Sequence, residues 1–105
     1  MYDIKSIQAM YAGRAVEYSQ HFRSRMKERN IKFADVNAAI QTGEIIEQDL
    51  SDFPNPSVLI LGFTSVNKPM HVAIGVGDTG LLLITAYFPA LSVWESDYKT
   101  RKADV

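Results

Sequence analysis

Cysteine is absent from the chain. That excludes a disulfide framework, thiolate metal sites, iron–sulfur ligation and a cysteine nucleophile. Histidine is scarce: His21 and His71 stand far apart, so a multi-histidine metal centre lacks donors. The carboxylates are scattered with no metal-ligand spacing, and the expectation is no metal and no cofactor. No nucleotide-binding glycine loop is present, because Gly75-Val76-Gly77 lacks a third glycine and a following helix. No apolar run approaches the ~20 residues of a membrane span. The opening MYDIKSIQAMYAG lacks the basic-then-apolar order of a secretory signal. These absences predict a cytoplasmic protein with no membrane association. An excess of one charge is missing too: the net charge is -1, which argues against non-specific coating of nucleic acid.

What remains suffices for one core. At 105 residues and 47% hydrophobic, residues 1-105 read as a single domain. A domain of this size buries roughly two-thirds of the surface its unfolded chain exposes. The near-neutral balance hides a segregation. Arg23, Arg25, Lys27, Arg29 and Lys32 face only Glu28 over residues 21–32, whereas Asp35, Glu44, Glu47, Asp49 and Asp52 meet no Lys or Arg over 35–52. Lys99, Arg101 and Lys102 add a basic tail. The two basic segments either form one positive face or are ordinary solvated surface.

The apolar periodicity predicts helices over 3–12, 20–30 and 33–42, with Ser19 as an N-cap and Asn30 as a left-handed stop. After Gly43 it predicts strands over 44–49, 58–64, 70–76 and 81–88, then a short polar helix over 92–102. The expected fold is α+β: N-terminal helices packed on a four-stranded, mainly antiparallel meander sheet, with a short C-terminal helix. Between the last two strands, Asp78-Thr79-Gly80 suits a three-residue loop ending in a glycine bulge. That register sets His71 opposite Tyr87 and Ala73 opposite Thr85. A two-residue loop would put His71 and Tyr87 on opposite faces.

Several side chains offer chemistry. Arg29 falls near the apolar stripe of the second helix, where a guanidinium must be paired or line a cleft. It either bonds Asp35, Glu44 or the helix's last carbonyls, or it binds an anion. His21, in the first turn, is disfavoured as imidazolium by the helix dipole. It reads as a general base next to Arg25 as phosphate clamp, or as a boundary histidine without chemistry. His71 shares a strand face with Ala73 and Gly75, small residues that admit a ligand or a packed helix. Tyr87 adds a phenol across from it and Thr85 a hydroxyl. Trp94 and Tyr98 read as hydrophobic anchors, or as a stacking surface beside Lys99 and Arg101.

The segment from His21 to Ile31, with its His, Arg25-Met26 and Arg29-Asn30-Ile31 at fixed spacing, resembles a signature of the bacterial family called domain of unknown function 4258. Asp35-Val36, Gly43-Glu44-Ile45-Ile46, Leu61-Gly62, Met70-His71-Val72 and Ile84-Thr85-Ala86-Tyr87 follow in that family's order. Asn30 stands where the family often has glycine. The family in turn resembles small RelE-like and motility-regulator-like toxins. The resemblance implies a RelE-like fold, metal-free endoribonuclease activity with RNA on a basic sheet face, and a cognate antitoxin as partner. By this analogy His21, His71 and Tyr87 are catalytic and Arg25 and Arg29 bind phosphate, with Lys99 and Arg101 of the tail added as substrate ligands. The expected geometry lays the second helix against the Ala73 and Gly75 side of the strand. The alternative is a non-catalytic protein-binding module of the same fold, suggested by the acidic stretch 35–52.

Overall fold

Local hydrogen bonds explain where the helices begin and end. A computed structural model describes residues 2–13 and 15–103. Helix α1 (Ile4–Ala12) starts where the Asp3 carboxylate accepts the Ser6 amide. A short strand, β1 (Val16–Tyr18), follows. Helix α2 (Gln20–Arg29) starts where Ser19 Oγ accepts the Phe22 amide, and stops at Asn30, whose φ of 54° is left-handed as expected. Helix α3 (Phe33–Gln41) has the Asp35 carboxylate accepting the Lys32 amide. Strands β2 (Glu44–Asp49), β3 (Ser57–Phe63), β4 (Pro69–Val76) and β5 (Leu81–Tyr87) complete the fold. Among the described residues no helix is long and apolar enough to cross a membrane.

The fold is α+β, but the sheet has five strands in the order β1-β5-β4-β3-β2, not four. The additional strand, β1, runs parallel to β5, and the other pairs are antiparallel. All helices lie on one face. Phe22 and Met26 of α2 and Val36, Ala39 and Ile40 of α3 share a buried core with Val58 and Ile60 of β3 and Met70, Val72, Ile74 and Val76 of β4. This corrects the expectation that α2 covers the Ala73 and Gly75 strip, which alternates to the other face. Gly62 is the closest approach: a Cβ there would sit 1.8 Å from the Ala39 carbonyl oxygen, so α3 rests its backbone directly on β3.

Two further expectations are corrected. No described glycine has positive φ, and the β4–β5 turn closes with Val76 opposite Leu81 and the Gly77 amide donating to Gly80 O at 2.9 Å. The three-residue loop is therefore absent. The register shifts instead between Ala73 and Ile74, leaving Ile84 as the extra residue, and this restores His71 opposite Tyr87 and Ala73 opposite Thr85. The predicted C-terminal helix over 92–102 is also absent. The Asp97 carboxylate accepts the Lys99 and Thr100 amides and the Thr100 hydroxyl, a turn that competes with helix. Tyr98 adopts φ 58°, and the segment doubles back so that Trp94 bridges Arg101.

Candidate functional site on the far face of the sheet

Strand alternation and two bulges arrange the face opposite the helices as a small grid. One row across β2, β3, β4 and β5 reads Glu44, Leu61, His71 and Tyr87, and the next reads Glu47, Leu59, Ala73 and Thr85. Glu44 and Glu47 are three apart and would alternate to opposite faces of a regular strand. The bulge at Ile46, where the register skips from Ile45 to Glu47, brings both to this side.

The C-terminal segment is laid over this grid and fastened to it. Lys99 Nζ lies 2.7 Å from Glu44 Oε1. Arg101 makes a two-pronged contact with Glu47, through Nε at 2.8 Å and Nη2 at 3.0 Å, and its guanidinium lies 4.6 Å from the centre of the Trp94 ring. Trp94 meets the His71 ring edge-on at 4.5 Å. His71 is left fully buried, with Nδ1 3.1 Å from Tyr87 Oη and Nε2 2.7 Å from the Tyr98 carbonyl oxygen.

Arg29 reaches the same region from the end of α2. Its Nη1 donates to Ala86 O at 2.8 Å and Thr85 Oγ1 at 3.3 Å, not to Asp35, Glu44 or the helix's own carbonyls. With Tyr87, Phe88, Ala90, Val93, Trp94 and Arg101 it lines an open pocket of about 490 Å³.

Of the residues singled out from sequence, the structure thus gathers Arg29, His71, Tyr87 and Arg101, with Lys99 at the β2 side. His21 is exposed on α2 in the helical layer, on the other side of the sheet from His71, so the two imidazoles do not share a groove. Arg25 is turned to Glu28 at 2.8 Å. Sequence reasoning missed Glu44 and Glu47 as partners of the tail, and Trp94 as the cover over His71.

A family model described as "Domain of unknown function (DUF4258)" matches residues 18–88, from β1 to just past β5. The chain belongs to this family. No curated protein and no solved structure matches it.

In this DUF4258 chain the match spans Arg29, His71 and Tyr87, whereas Trp94, Lys99 and Arg101 lie beyond it. Hydrogen-bond logic fixes the protons at its centre. The Tyr98 carbonyl only accepts, so His71 Nε2 carries hydrogen. Burial lowers the His71 pKa from its usual 6.5, against opposing pulls from the Tyr98 carbonyl and Glu47, with Arg101 lowering it further. The ring is therefore neutral at pH 7, and Nδ1 accepts the Tyr87 O–H. Burial raises the Tyr87 pKa while Arg101 and Arg29 act to lower it. The phenol stays protonated, its hydrogen aimed at His71 and its oxygen lone pairs left to accept a further hydrogen bond.

Proposed function

We propose that this protein acts on RNA without a metal, holding a phosphate at Arg29 and handling the ribose 2′-hydroxyl proton through Tyr87 and His71. The observation that carries the reading is the directed chain from Tyr87 O–H to His71 Nδ1 and from His71 Nε2–H to the Tyr98 carbonyl, with the Arg29 guanidinium held, among the described residues, by two neutral oxygens at the rim of the same pocket. In the step proposed, the 2′-O–H gives its proton to Tyr87 Oη as that hydroxyl passes its own to His71 Nδ1. The 2′-oxygen attacks phosphorus, the P–O5′ bond breaks, the leaving 5′-oxygen takes a proton from water, and the hydroxide so formed takes back the proton that His71 holds, through Tyr87 Oη. Arg29 meets the charge growing on the phosphoryl oxygens. An arrangement with helices on one face and reactive groups on the other accords with the RelE-like resemblance. A cognate antitoxin remains the partner that this resemblance suggests.

This reading leaves out His21, which lies on the other side of the sheet, and Arg25, which is paired with Glu28, while Lys99 and Arg101 are paired with Glu44 and Glu47. The test is cleavage of single-stranded RNA by the purified protein with and without a chelator. The expected result is chelator-insensitive cleavage, lost in Tyr87→Phe and His71→Gln, with Arg29→Ala raising KM. Intact RNA with the wild-type chain would overturn the reading. A second reading, the non-catalytic binding module, is favoured by the cover of Trp94 over His71 and the tail's neutralised charges. Capture of a stoichiometric protein partner by a chain that leaves RNA intact would support it.

A further inference from the structure

Away from the sheet site, two exposed features carry opposite charge and matching apolar character. The first lies where α2 ends and α3 begins: Met26, Ile31 and Phe33 floor an open pocket of about 350 Å³ rimmed by Arg23, Lys27 and Lys32. Phe33 is 46% exposed, and among the described residues none of these three cations has an ion-pair partner. The Asp35 carboxylate at this corner accepts the Lys32 backbone amide. The second is the loop between β2 and β3. There Leu50 and Phe53 are 54% and 91% exposed, flanked by Asp49 and Asp52, whose carboxylates, among the described residues, bond Ser51 and Phe53 of the loop and Ser57 at the start of β3.

We propose that the β2–β3 loop of one molecule docks, Phe53 first, into the Arg23–Lys27–Lys32 pocket of a second copy of this chain. Burying two bare apolar side chains is favourable in itself, and the paired aspartates and cations set the orientation. A molecule cannot satisfy its own pocket. The loop enters β3 at Ser57, which pairs with Gly75 near the β4–β5 turn. The pocket lies where α2 ends, and Arg29 there bonds Ala86 at the opposite end of β5. The contact is therefore head-to-tail, using different patches on the two copies, and it either closes into a ring or continues as a chain. One loop on one pocket is a small interface, at the weak end of specific association. The near-zero net charge of -1 leaves little overall repulsion against it.

The test is sedimentation equilibrium of the full chain at about 0.1–1 mM, where contacts of this strength populate, in low and high salt. The wild type is expected to exceed monomer mass in low salt and to dissociate as salt screens the charged pairs. Phe53→Ser, which removes a side chain 91% exposed in the monomer, is expected to weaken association by about tenfold or more. Lys27→Glu with Lys32→Glu, and separately Asp49→Lys with Asp52→Lys, are each expected to be monomeric. Mixed in equal amounts, these two variants should associate, since each then offers what the other's altered patch requires. A wild type that stays monomeric throughout, association unchanged in Phe53→Ser, or a mixture that fails to associate would overturn the proposal. So would a monomeric wild type whose pocket takes up only an unrelated acidic peptide.

Discussion

Acidification below the ordinary histidine range will destabilise this protein through His71. In the fold the ring is sealed under Trp94, accepts the Tyr87 hydroxyl at Nδ1 and donates to the Tyr98 carbonyl from Nε2. A proton added at Nδ1 would place a cation in that buried site and force the Tyr87 hydroxyl to turn. Burial accordingly holds the folded pKa below 6.5, the value expected in the unfolded chain. Between 6.5 and the lower folded value, the unfolded state binds one proton that the native state refuses. Unfolding free energy then falls as pH falls, by up to about 1.4 kcal/mol per pH unit. Above that window His71 adds no pH dependence, and below the folded pKa its contribution levels off. Against a total stability of about 5–15 kcal/mol for a small domain, a loss along that slope is readable by denaturant unfolding.

The matched control is His71→Gln. Its amide oxygen can accept from Tyr87 and its amide nitrogen can donate to Tyr98, but it cannot titrate. Urea unfolding at a series of pH values from about 7.5 down to about 5 should show the wild type losing stability relative to His71→Gln as pH falls. Parallel curves, or a wild type that gains on acidification, would refute the account of the buried neutral ring.

Three further outcomes follow from the packing. Gly62→Ala, with a Cβ 1.8 Å from the Ala39 carbonyl oxygen, must push α3 off β3 and should cost about 3 kcal/mol or more, read as a lowered Tm; a change within about 0.5 kcal/mol would contradict the close approach. Trp94→Ala should release the tail from the sheet, giving faster amide exchange over residues 93–102 with slower change in the helical core; uniform exchange would mean the tail and core open together. Glu47→Gln breaks a pair whose partners are 38% and 58% exposed, so the urea midpoint should shift by no more than about 1 kcal/mol's worth, and a larger loss would show that the tail is fastened chiefly by charge.

The helices were readable because their signals are local: a serine ahead of α2 and an asparagine able to turn left-handed after it act within a few residues. The alternation of Met70, Val72, Ile74 and Val76 likewise announced the buried side of β4. What escaped depended on distant partners. Val16–Tyr18 is three residues long and is a strand only because β5 lies beside it, although its alternating Val, Glu and Tyr after Gly13 is a faint signal. The tail's Trp94 and Tyr98, four apart, imitate a helix, while the Asp97 side chain takes the amides that a helix would need. The pairing of His71 with Tyr87 was anticipated, but from a glycine at the turn, whereas the extra residue is Ile84 further along. No sequence signal distinguishes those two placements, and none reveals the bulge at Ile46 that turns Glu47 toward Arg101.

The parallel seating of β1 against β5 has a consequence for synthesis. Within this sheet the earliest strand to leave the ribosome waits for the latest, since β1 is paired with β5 alone. Until that late segment emerges, the nascent chain holds Val16 and Tyr18 with an unfilled hydrogen-bonding edge, and the contacts that complete the core span most of its length. Such long-range closure slows folding and leaves the growing polypeptide exposed to wrong pairings, so a chain interrupted before residue 81 should be a ready substrate for chaperones and proteases.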